Sequence, residues 1–536
     1  MVFDVVVVGA GAAGCALASR LSEDPAIDVL LLEAGSRSWA THLGRIPRAL
    51  PAVFRSGLLT SYPTLPMRST GEPDYWVRGR GIGGSTLING MMYLRGERSA
   101  YDDLAAVAGP RWGWSAFEAA YREIEDRFVK PSTSSLSELD RIILASFEAT
   151  GLDLVPDLNA GAGPRAGATP ASISGGRRTS AAAFLPPERR SAKLRVLRGV
   201  SVESLLWRGR RVVGILAQYG GERREIRARA VVLCSGTIET PLLLERSGIG
   251  SAERLRAAGI ELRVASPNVG ERVREQRGQG LQVRLRRPAA ESMELGSASA
   301  IARQAARYAL TRGGSLARPA YDVAALVSSA DAINAANPTA NGEPGSSVRS
   351  RGETLDHGLL FGDASRVDIQ VVGSPFALAP GGSLRPADYA GVLLSGYPIR
   401  PTTTSSIHLD PTDPAGAPII DANFAETTAD RLQQDATLTA LRRLVYAGPL
   451  GDLIADEDHS GPGSSGSAIY HAVGSAGMGQ NDDDVVDSEL RVRGTEGLRI
   501  ADLSVLPFHP SGGTAAPAMA IGWLAGALLA GEHHAG

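Results

Sequence analysis

Three glycines and one acid near the start of the chain have the spacing of a nucleotide-binding site. The glycines Gly9, Gly11 and Gly14 form the pattern G-x-G-x-x-G, and Glu33 follows about 20 residues later. In this pattern the first glycine permits a tight turn, the second lets backbone approach a pyrophosphate, and the third lets a helix pack on a strand. An acid at that distance can accept hydrogen bonds from a ribose diol and would repel a 2′-phosphate. The residues therefore predict dinucleotide binding, with NADP disfavoured.

A strand, a turn and a helix are needed to position these residues. Residues 3–8 read FDVVVV, a run typical of a strand buried on both faces of a parallel sheet. The glycines follow at once, a helical pattern continues through Arg20, and a second strand at residues 29–32 leads into Glu33. A helix beginning at the glycines offers free N–H groups and a positive dipole end to phosphates. The segment predicts a Rossmann-type βαβ unit, and the motif alone fits FAD and NAD equally.

The composition of the chain excludes several classes of function. At 536 residues and 43% hydrophobic content it is too long for one compact core and too apolar for a disordered chain, which indicates two or three domains. A net charge of −2 leaves no basic footprint, so we expect no nucleic-acid partner. The two cysteines, Cys15 and Cys234, cannot form a disulfide framework, and no Cys or His spacing indicates a metal site. We therefore expect no bound metal.

Two segments bear on the cellular location. The N-terminus has no basic stretch followed by an apolar one, so a cytoplasmic location is expected. Residues 514–531 carry no charge, but the segment is shorter than the ~20 residues of a usual membrane span and contains Pro517 and several glycines. We expect a buried helix there and no membrane span.

Three further blocks identify a family. They read GRGIGGSTLINGMMYLRG at residues 79–96, SGTIETPLLLERSGIG at residues 235–250, and HAVGSAGMG from His471 through VVDSELRVRGTEGLRIADLSVLP to SGGTAAP. In this order the chain resembles the glucose–methanol–choline (GMC) flavoprotein oxidoreductases, over nearly its whole length. The resemblance implies an α/β fold, a Rossmann-like FAD-binding domain of the GMC type with an inserted α+β substrate-binding domain. We place the FAD-binding domain at residues 1–280 plus 466–536 and the substrate-binding domain at residues 281–465.

The resemblance also implies that the cofactor is FAD. Some relatives carry a histidine that binds FAD covalently, but its position here is Ile88, which has no nucleophile, so FAD is expected to be noncovalent. By analogy, Asn89 and Gly90 approach the flavin N5, the backbone of Val202 meets the adenine, and Asp502 lies near the ribityl and pyrophosphate oxygens. The predicted cofactor-binding residues are Gly9, Gly11, Gly14, Glu33, Arg80, Gly83, Gly84, Ser85, Asn89, Gly90, Met91, Val202, Asp502, Leu503, Thr514 and Ala515.

His471 is the candidate catalytic residue, because it occupies the position of the catalytic histidine in the family. Alcohol oxidation by flavin removes a hydride from carbon and a proton from oxygen, and the proton needs a base. Histidine suits this task because its ordinary pKa lies near working pH. The resemblance therefore implies an FAD-dependent alcohol oxidase or dehydrogenase that oxidises a CH–OH group by hydride transfer to flavin N5, with His471 as general base.

Two positions depart from the pattern of the family. Relatives carry His or Asn where this chain has Gly513, which offers no side-chain donor or acceptor. His509 is a second catalytic candidate if its loop is re-routed toward that gap, and the alternative is a loop histidine facing the domain seam. Otherwise Gly513 makes room for a bulky substrate, with a hydroxyl of the substrate domain in its place, or the chemistry has changed. The acid-and-histidine pair of the family appears here as Glu275-Gln276.

Other functions stay open at this level. The same fold could serve a redox-neutral or photochemical flavin enzyme, lyase-like or decarboxylase-like, or an accessory protein that only holds flavin. The predicted partner is a small-molecule substrate, and the electron acceptor could be oxygen, a quinone or a redox carrier. Residues 331–352 are polar and contain glycine and proline, which predicts a surface loop that could cover the active site.

Overall fold

The computed structural model describes residues 2–68, 70–186, 191–287, 290–331, 347–350, 353–356, 366–380, 384–459 and 466–535. The predicted loop at residues 331–352 lies mostly outside these residues. The strands are β1 Val2–Val8, β2 Val29–Glu33, β3 Leu59–Pro66, β4 Pro73–Gly79, β5 Asp153–Leu154, β6 Arg165–Ala168, β7 Ile173–Ser174, β8 Arg177–Arg178, β9 Leu194–Arg198, β10 Val200–Arg208, β11 Arg211–Tyr219, β12 Glu222–Leu233, β13 Ile249–Gly250, β14 Val264–Ala265, β15 Arg277–Leu285, β16 Val323–Val327, β17 Ser347–Ser350, β18 Glu353–Asp356, β19 Ile369–Ser374, β20 Gly391–Pro398, β21 Ser406–His408, β22 Ile419–Asp421, β23 Ile454–Glu457, β24 Ser467–Ala468 and β25 Leu498–Ile500.

The helices begin with the one that the glycine motif predicts. They are α1 Ala12–Leu21, α2 Thr41–Gly44, α3 Leu50–Val53, α4 Arg98–Ala108, α5 Trp114–Arg127, α6 Glu138–Glu148, α7 Gly236–Arg246, α8 Ala252–Ala257, α9 Ala290–Met293, α10 Ala298–Thr311, α11 Thr428–Tyr446, α12 Gly448–Leu453 and α13 Ala515–Ala535.

The first sheet has the predicted βαβ unit at its centre. Its strand order is β10-β11-β12-β1-β2-β9, and β25 adds to the carboxyl half of β12. Strands β12, β1, β2 and β9 run parallel, with Val8 beside both Leu32 and Leu233. Because parallel strands end at one edge, the glycine turn after β1 and the acid at the end of β2 come together there. Residues 5–8 of β1 and all residues of β2 are buried, as the β-branched run predicts.

The C-terminal helix α13 packs on α1. A Cβ built on Gly522 would lie 2.1 Å from the carbonyl oxygen of Ala13, so only glycine allows the two backbones to come this close. Of the described helices, α13 is the one long and apolar enough, over Ala515–His534, to cross a membrane, and 61% of the tested stretch is buried inside the fold. A core helix passes the same test, which agrees with the predicted buried helix.

The second sheet has the strand order β23-β15-β20-β19-β16-β6-β5, with β24 paired to β15. Helices α6, α11 and α12 cover it, and their apolar side chains share one core with the strands. Strands β5 and β6 and helix α6 come from residues 138–168, which the sequence-based boundary leaves in the first domain. They belong with this sheet because Ile143 and Phe147 of α6 and Ala166 of β6 are buried in its core. The sequence shows no change in composition where the chain passes from the first domain to this sheet.

A buried ion-pair cluster joins the segment before α3 to helix α6 and to the segment that precedes β16 of the second sheet. Arg48, which precedes α3, pairs with Asp322, and Arg318 pairs with Asp322 at 2.8 Å and with Asp140 of α6. The side chains of both aspartates are fully buried, and those of both arginines are at most 15% exposed. The cluster fixes the segment that carries Tyr321 against Gly90, whose built Cβ lies 3.4 Å from the Tyr321 ring.

Candidate active site

The glycine turn after β1 has the geometry of a pyrophosphate cradle. Gly9 has a φ of +102°, and a Cβ there would lie 2.4 Å from the carbonyl oxygen of Cys234. A Cβ on Gly14 would lie 1.9 Å from the carbonyl oxygen of Gly9, so α1 can start here only with glycine. A Cβ built on Gly11, in contrast, has no neighbour nearer than 4.0 Å. The turn is tight where the chain must close, and open where a phosphate would approach the start of α1.

Glu33 lies beside this turn. Its Oε2 accepts a hydrogen bond from the N–H of Ala10 at 3.1 Å, and its Oε1 accepts one from the N–H of Gly35 at 2.7 Å. The N–H of Gly199, which precedes β10, donates to the carbonyl of Gly35 at 3.3 Å. The strand that carries Val202 therefore starts next to the acid, and a carboxylate so held keeps lone pairs for a ribose diol.

Asp502 reaches the same edge from the end of β25. Its Oδ2 accepts from the N–H of Gly236 at 2.8 Å and from the hydroxyl of Thr240 at 2.7 Å, and its Oδ1 accepts from the N–H of Ser504. Burial raises the pKa of Asp502, and the hydrogen bonds counteract this effect. The predicted cofactor residue Leu503 follows directly, and its carbonyl accepts from the N–H of Gly474 at 3.3 Å.

The second glycine-rich segment, at residues 79–96, packs against the glycine turn that follows β1. The N–H of Gly83 donates to the carbonyl of Ala10 at 2.7 Å, and a Cβ on Gly84 would lie 2.8 Å from the Cα of Gly11. Ser85 accepts a hydrogen bond from the N–H of Gly79 at 3.1 Å. The segment thus brings predicted residues from both motifs together, whereas the side chain of Arg80 is exposed.

Asn89 and Met91 form the next turn, and a buried arginine holds it. The side-chain oxygen of Asn89 accepts from the N–H of Met91, whose φ is +67°. Nη1 of Arg178 donates to the backbone and side-chain oxygens of Asn89, both at 2.6 Å. Burial lowers the pKa of Arg178 to about 9, and its Nε and Nη2 have no partner among the described residues. Thr514 and Ala515, at the start of α13, complete the predicted set.

These observations show that the chain fits a flavin dinucleotide. The open turn at Gly11 suits the pyrophosphate, Glu33 and the start of β10 suit the adenosine half, and the turn at Asn89 suits the ring. Ile88 is buried in an apolar cluster with Leu87 and Val77, and it offers no atom for a covalent link.

His471 is held by two neighbouring residues that precede β15. The two oxygens of Glu275 accept the backbone N–H groups of His471 and Ala472, both at 2.8 Å. Nδ1 of His471 lies 2.8 Å from Oε1 of Gln276, whose Nε2 donates to the carbonyl of Ile399 at 2.7 Å. Because that carbonyl requires a donor, the amide oxygen of Gln276 faces His471, and Nδ1 must carry the proton. Nε2 of His471 is thereby left as an acceptor.

The electrostatics keep His471 neutral at ordinary pH. Burial lowers the pKa of His471 to about 4, the positive charge of Arg78 acts in the same direction, and the nearby backbone of Gly512 opposes them. The ring of Tyr397 stands edge-on to the imidazole, with 6.0 Å between the ring centroids. A neutral imidazole with a free Nε2 can accept a proton.

His509 lies behind His471 and does not enter the gap at Gly513. It is fully buried, and its Nε2 donates to the backbone carbonyl of His471 at 2.9 Å. Burial lowers its pKa to about 3. The loop is not re-routed because Pro510 packs on Gly96, where a Cβ would lie 2.3 Å from the Pro510 carbonyl oxygen. The geometry therefore gives His509 a positioning role toward His471.

The gap at Gly513 is present in the structure. Gly513 is buried, yet a Cβ built on it has no atom within 4 Å. The space that a larger residue would fill is open. It adjoins Gly512, which contacts His471.

Sequence reasoning missed several residues of this site. In the sequence, Glu275 and Gln276 stand out only as a departure from the family pattern, and that departure is the signal that points to them. Arg78 immediately precedes the second glycine-rich block. Arg178 and Tyr397 lie in segments without a motif, so their roles emerge only from the fold.

A buried histidine anchors the loop that carries Glu275. Nδ1 of His408 lies 2.7 Å from Glu245 and Nε2 lies 3.0 Å from Glu271, whose other neighbour is Arg254. Burial alone would lower the pKa of His408, but the two carboxylates outweigh it and raise that pKa above its ordinary 6.5. The same contact lowers the pKa of Glu271.

We expect this anchor to make stability depend on pH. Because the folded-state pKa of His408 is raised, its contribution is complete below the unfolded value and is lost as pH rises through the folded value. His408→Gln should lower the free energy of unfolding by about 1–2 kcal/mol at low pH, since Glu271 is partly exposed. The difference from wild type in denaturant midpoint should shrink as pH rises above the ordinary histidine pKa, through the raised value of His408. A difference independent of pH would contradict the assignment of charge to His408.

Comparison with known proteins agrees with this geometry. The family model described as GMC oxidoreductase matches residues 3–277 and, in its C-terminal part, residues 401–522. An uncharacterised GMC-type oxidoreductase of Mycobacterium bovis is 32% identical over 98% of this chain and 99% of its own length. An alcohol dehydrogenase [acceptor] of Pseudomonas putida is 28% identical over 97% of this chain and 94% of its own.

The fold has counterparts among solved structures as well. The crystal structure of pyridoxine 4-oxidase from Mesorbium loti has a TM-score of 0.81 and 26% identity, and it covers 99% of both chains. The predicted family and the predicted α/β fold class are thus confirmed, and with them FAD as the cofactor. The chain belongs to the GMC oxidoreductases and is an FAD-dependent oxidoreductase.

Proposed function

We propose that the protein oxidises the CH–OH group of a small alcohol by hydride transfer to noncovalently bound FAD, with His471 as general base. The observation that carries the proposal is the 2.8 Å contact between Nδ1 of His471 and the amide oxygen of Gln276, which leaves Nε2 as an acceptor, and burial favours the neutral imidazole. Relatives named as an alcohol dehydrogenase and a pyridoxine 4-oxidase support the alcohol class. When bound, FAD supplies the two-electron acceptor.

The residues of the chain manage the proton. The substrate hydroxyl donates to Nε2 of His471, and the proton moves to that atom as the C–H bond breaks. The Gln276 amide keeps the ring oriented throughout, because its nitrogen stays on the carbonyl of Ile399. Glu275 fixes the backbone of His471 and Ala472, so that the imidazole cannot turn away.

Anaerobic reduction of the flavin tests the proposal. The purified holoprotein should be mixed, without oxygen, with ethanol, benzyl alcohol, choline and pyridoxine, and the visible absorbance of oxidised flavin followed. We expect at least one alcohol to bleach the flavin, because a neutral base and a hydride acceptor are both present. Subsequent addition of oxygen, a quinone or a one-electron carrier then identifies the acceptor by the rate at which the absorbance returns.

The negative outcomes are distinct. If a substrate is consumed while the flavin stays oxidised, the reaction is redox-neutral and the proposal is wrong. Flavin that none of the alcohols reduces, but that dithionite reduces normally, would contradict the alcohol class.

A further inference from the structure

A buried arginine whose charge no acid neutralises lies behind the turn at Asn89. Arg178 belongs to the hairpin of β7 and β8, whose turn glycines Gly175 and Gly176 have φ values of +54° and +69°. Its backbone N–H donates to the carbonyl of Arg45 at 2.9 Å. The residue is 6% exposed, and no carboxylate of a described residue pairs with its guanidinium. The hairpin therefore holds an uncompensated cation inside the fold.

All hydrogen bonds of this guanidinium start at Nη1. This nitrogen donates to the backbone oxygen and to Oδ1 of Asn89, both at 2.6 Å, and lies 3.4 Å from the carbonyl oxygen of Thr86. Nε and Nη2 are sealed inside the protein and have no partner in the described part of the chain. A buried charge without a counter-ion is a cost to the fold. Arg178 is therefore better explained by function than by stability.

Asn89 separates Arg178 from the open side of the turn. Its Oδ1 accepts from Arg178 and from the N–H of Met91 at 3.1 Å, so the orientation of the amide is fixed. Nδ2 has no partner among the described residues and, unlike Nε and Nη2 of Arg178, it is not sealed. Asn89 and Gly90 are partly exposed, whereas Ile88 and Met91 on either side are buried. The free amide nitrogen therefore faces the space to which we assign the flavin ring.

We propose that Arg178 supplies a fixed positive charge that favours the reduced form of the flavin. A hydride carries two electrons and one proton, so its transfer leaves one negative charge on the ring. A cation in a poorly solvated site attracts such a charge more strongly than it would in water. Because its own free nitrogens are sealed, Arg178 acts by its field and through Asn89, and it is a positioning residue. The inference requires bound FAD but no alcohol, so it is independent of the proposed alcohol oxidation.

Titration of the oxidised holoprotein with sulfite tests the charge. Sulfite donates an electron pair to N5 of oxidised flavin and leaves a negative charge on the ring, without an alcohol or a base. Arg178→Gln removes the charge but keeps an amide donor, and its sulfite dissociation constant should rise about tenfold or more. Arg178→Lys keeps the charge and should stay within about threefold of wild type. The two-electron reduction potential, measured by equilibration with a dye, should fall in Arg178→Gln by about 30 mV for each tenfold change.

Arg165→Gln is the matched control. Arg165 is as buried as Arg178, at 4% exposed, but Glu97 pairs with it at 2.7 Å. Because its charge is compensated, its removal should leave the sulfite affinity and the reduction potential unchanged. A shift as large as that in Arg178→Gln would show that the effect is not specific to Arg178, and it would overturn the proposal.

Two further results would overturn the proposal. One is equal sulfite affinity in wild type and Arg178→Gln. The other is an equal loss in Arg178→Gln and Arg178→Lys, because the hydrogen bonds to Asn89 and not the charge would then decide the affinity.

Flavin content gives the answer if a variant cannot be titrated. Retention of flavin by Arg178→Lys together with its loss from Arg178→Gln would support the need for a charge. Loss of flavin from Arg178→Lys would show that the shape of arginine is required instead, and it would overturn the proposal. An alcohol panel that reduces no flavin would remove the proposed function and leave the sulfite result unaffected.

Discussion

Replacing His471 by alanine should slow anaerobic flavin reduction by the best alcohol about 10²–10⁴-fold, the contribution usual for a positioned general base. The protein should still bind flavin, because the glycine turns and Glu33 do not contact this side chain. The rate is measured by stopped-flow absorbance under saturating alcohol. The matched control is His42→Ala, which removes an exposed histidine and should leave the rate unchanged. Equal rates in wild type and His471→Ala would show that another group is the base.

The pH dependence of the wild-type rate follows from the same site. Because burial and Arg78 lower the pKa of His471 to about 4, the free protein holds a neutral base at all higher pH. The apparent second-order rate of flavin reduction should therefore fall as pH drops toward 4 and His471 becomes protonated, and any change near neutrality should come from Glu275, whose pKa burial raises to about 7. A limb near the ordinary histidine pKa that persists in Glu275→Gln would contradict the buried, neutral state of His471.

Asp322→Asn should lower the free energy of unfolding by about 3–5 kcal/mol, the cost usual for breaking a buried ion pair. The substitution keeps the shape of the side chain but leaves the guanidinium groups of Arg48 and Arg318 with one carboxylate, Asp140, between them. Denaturant unfolding followed by tryptophan fluorescence measures the loss. Flavin should be released at lower denaturant as well, because this cluster fixes Tyr321 against Gly90.

A surface ion pair of the same composition serves as the control. Asp103 also pairs with two arginines, Arg366 and Arg400, but 45% of its side chain is exposed. Asp103→Asn should therefore cost no more than about 1 kcal/mol. If the two substitutions have equal effects, the cluster around Asp322 is not stabilising in the way its burial suggests.

The sequence predicts the nucleotide half of the site well, because the information there is local. A β-branched run, three glycines and a terminal acid within about 30 residues determine a βαβ unit. The surroundings of His471 could not be predicted in this way. Gln276 is 195 residues distant from His471 in sequence, and Tyr397 belongs to a buried strand that carries no motif.

The same limit explains the difference at the domain boundary. Residues 138–168 carry an ordinary amphipathic helix and two short strands, and nothing in their composition indicates which sheet they belong to. Pairing of β6 with β16 decides the matter, and it depends on residues about 160 positions later. The position of His509 likewise depends on Pro510 packing against Gly96, a contact that no local pattern encodes.

The packing of α13 on α1 has a consequence for biosynthesis. The helix that starts at the glycine turn is translated early, whereas β25 and α13 are translated much later. Until then the nascent chain exposes the apolar face of α1 and lacks Asp502, so its nucleotide pocket is incomplete. Loading of the flavin therefore requires that β25 has paired with β12 and that α13 has packed on α1.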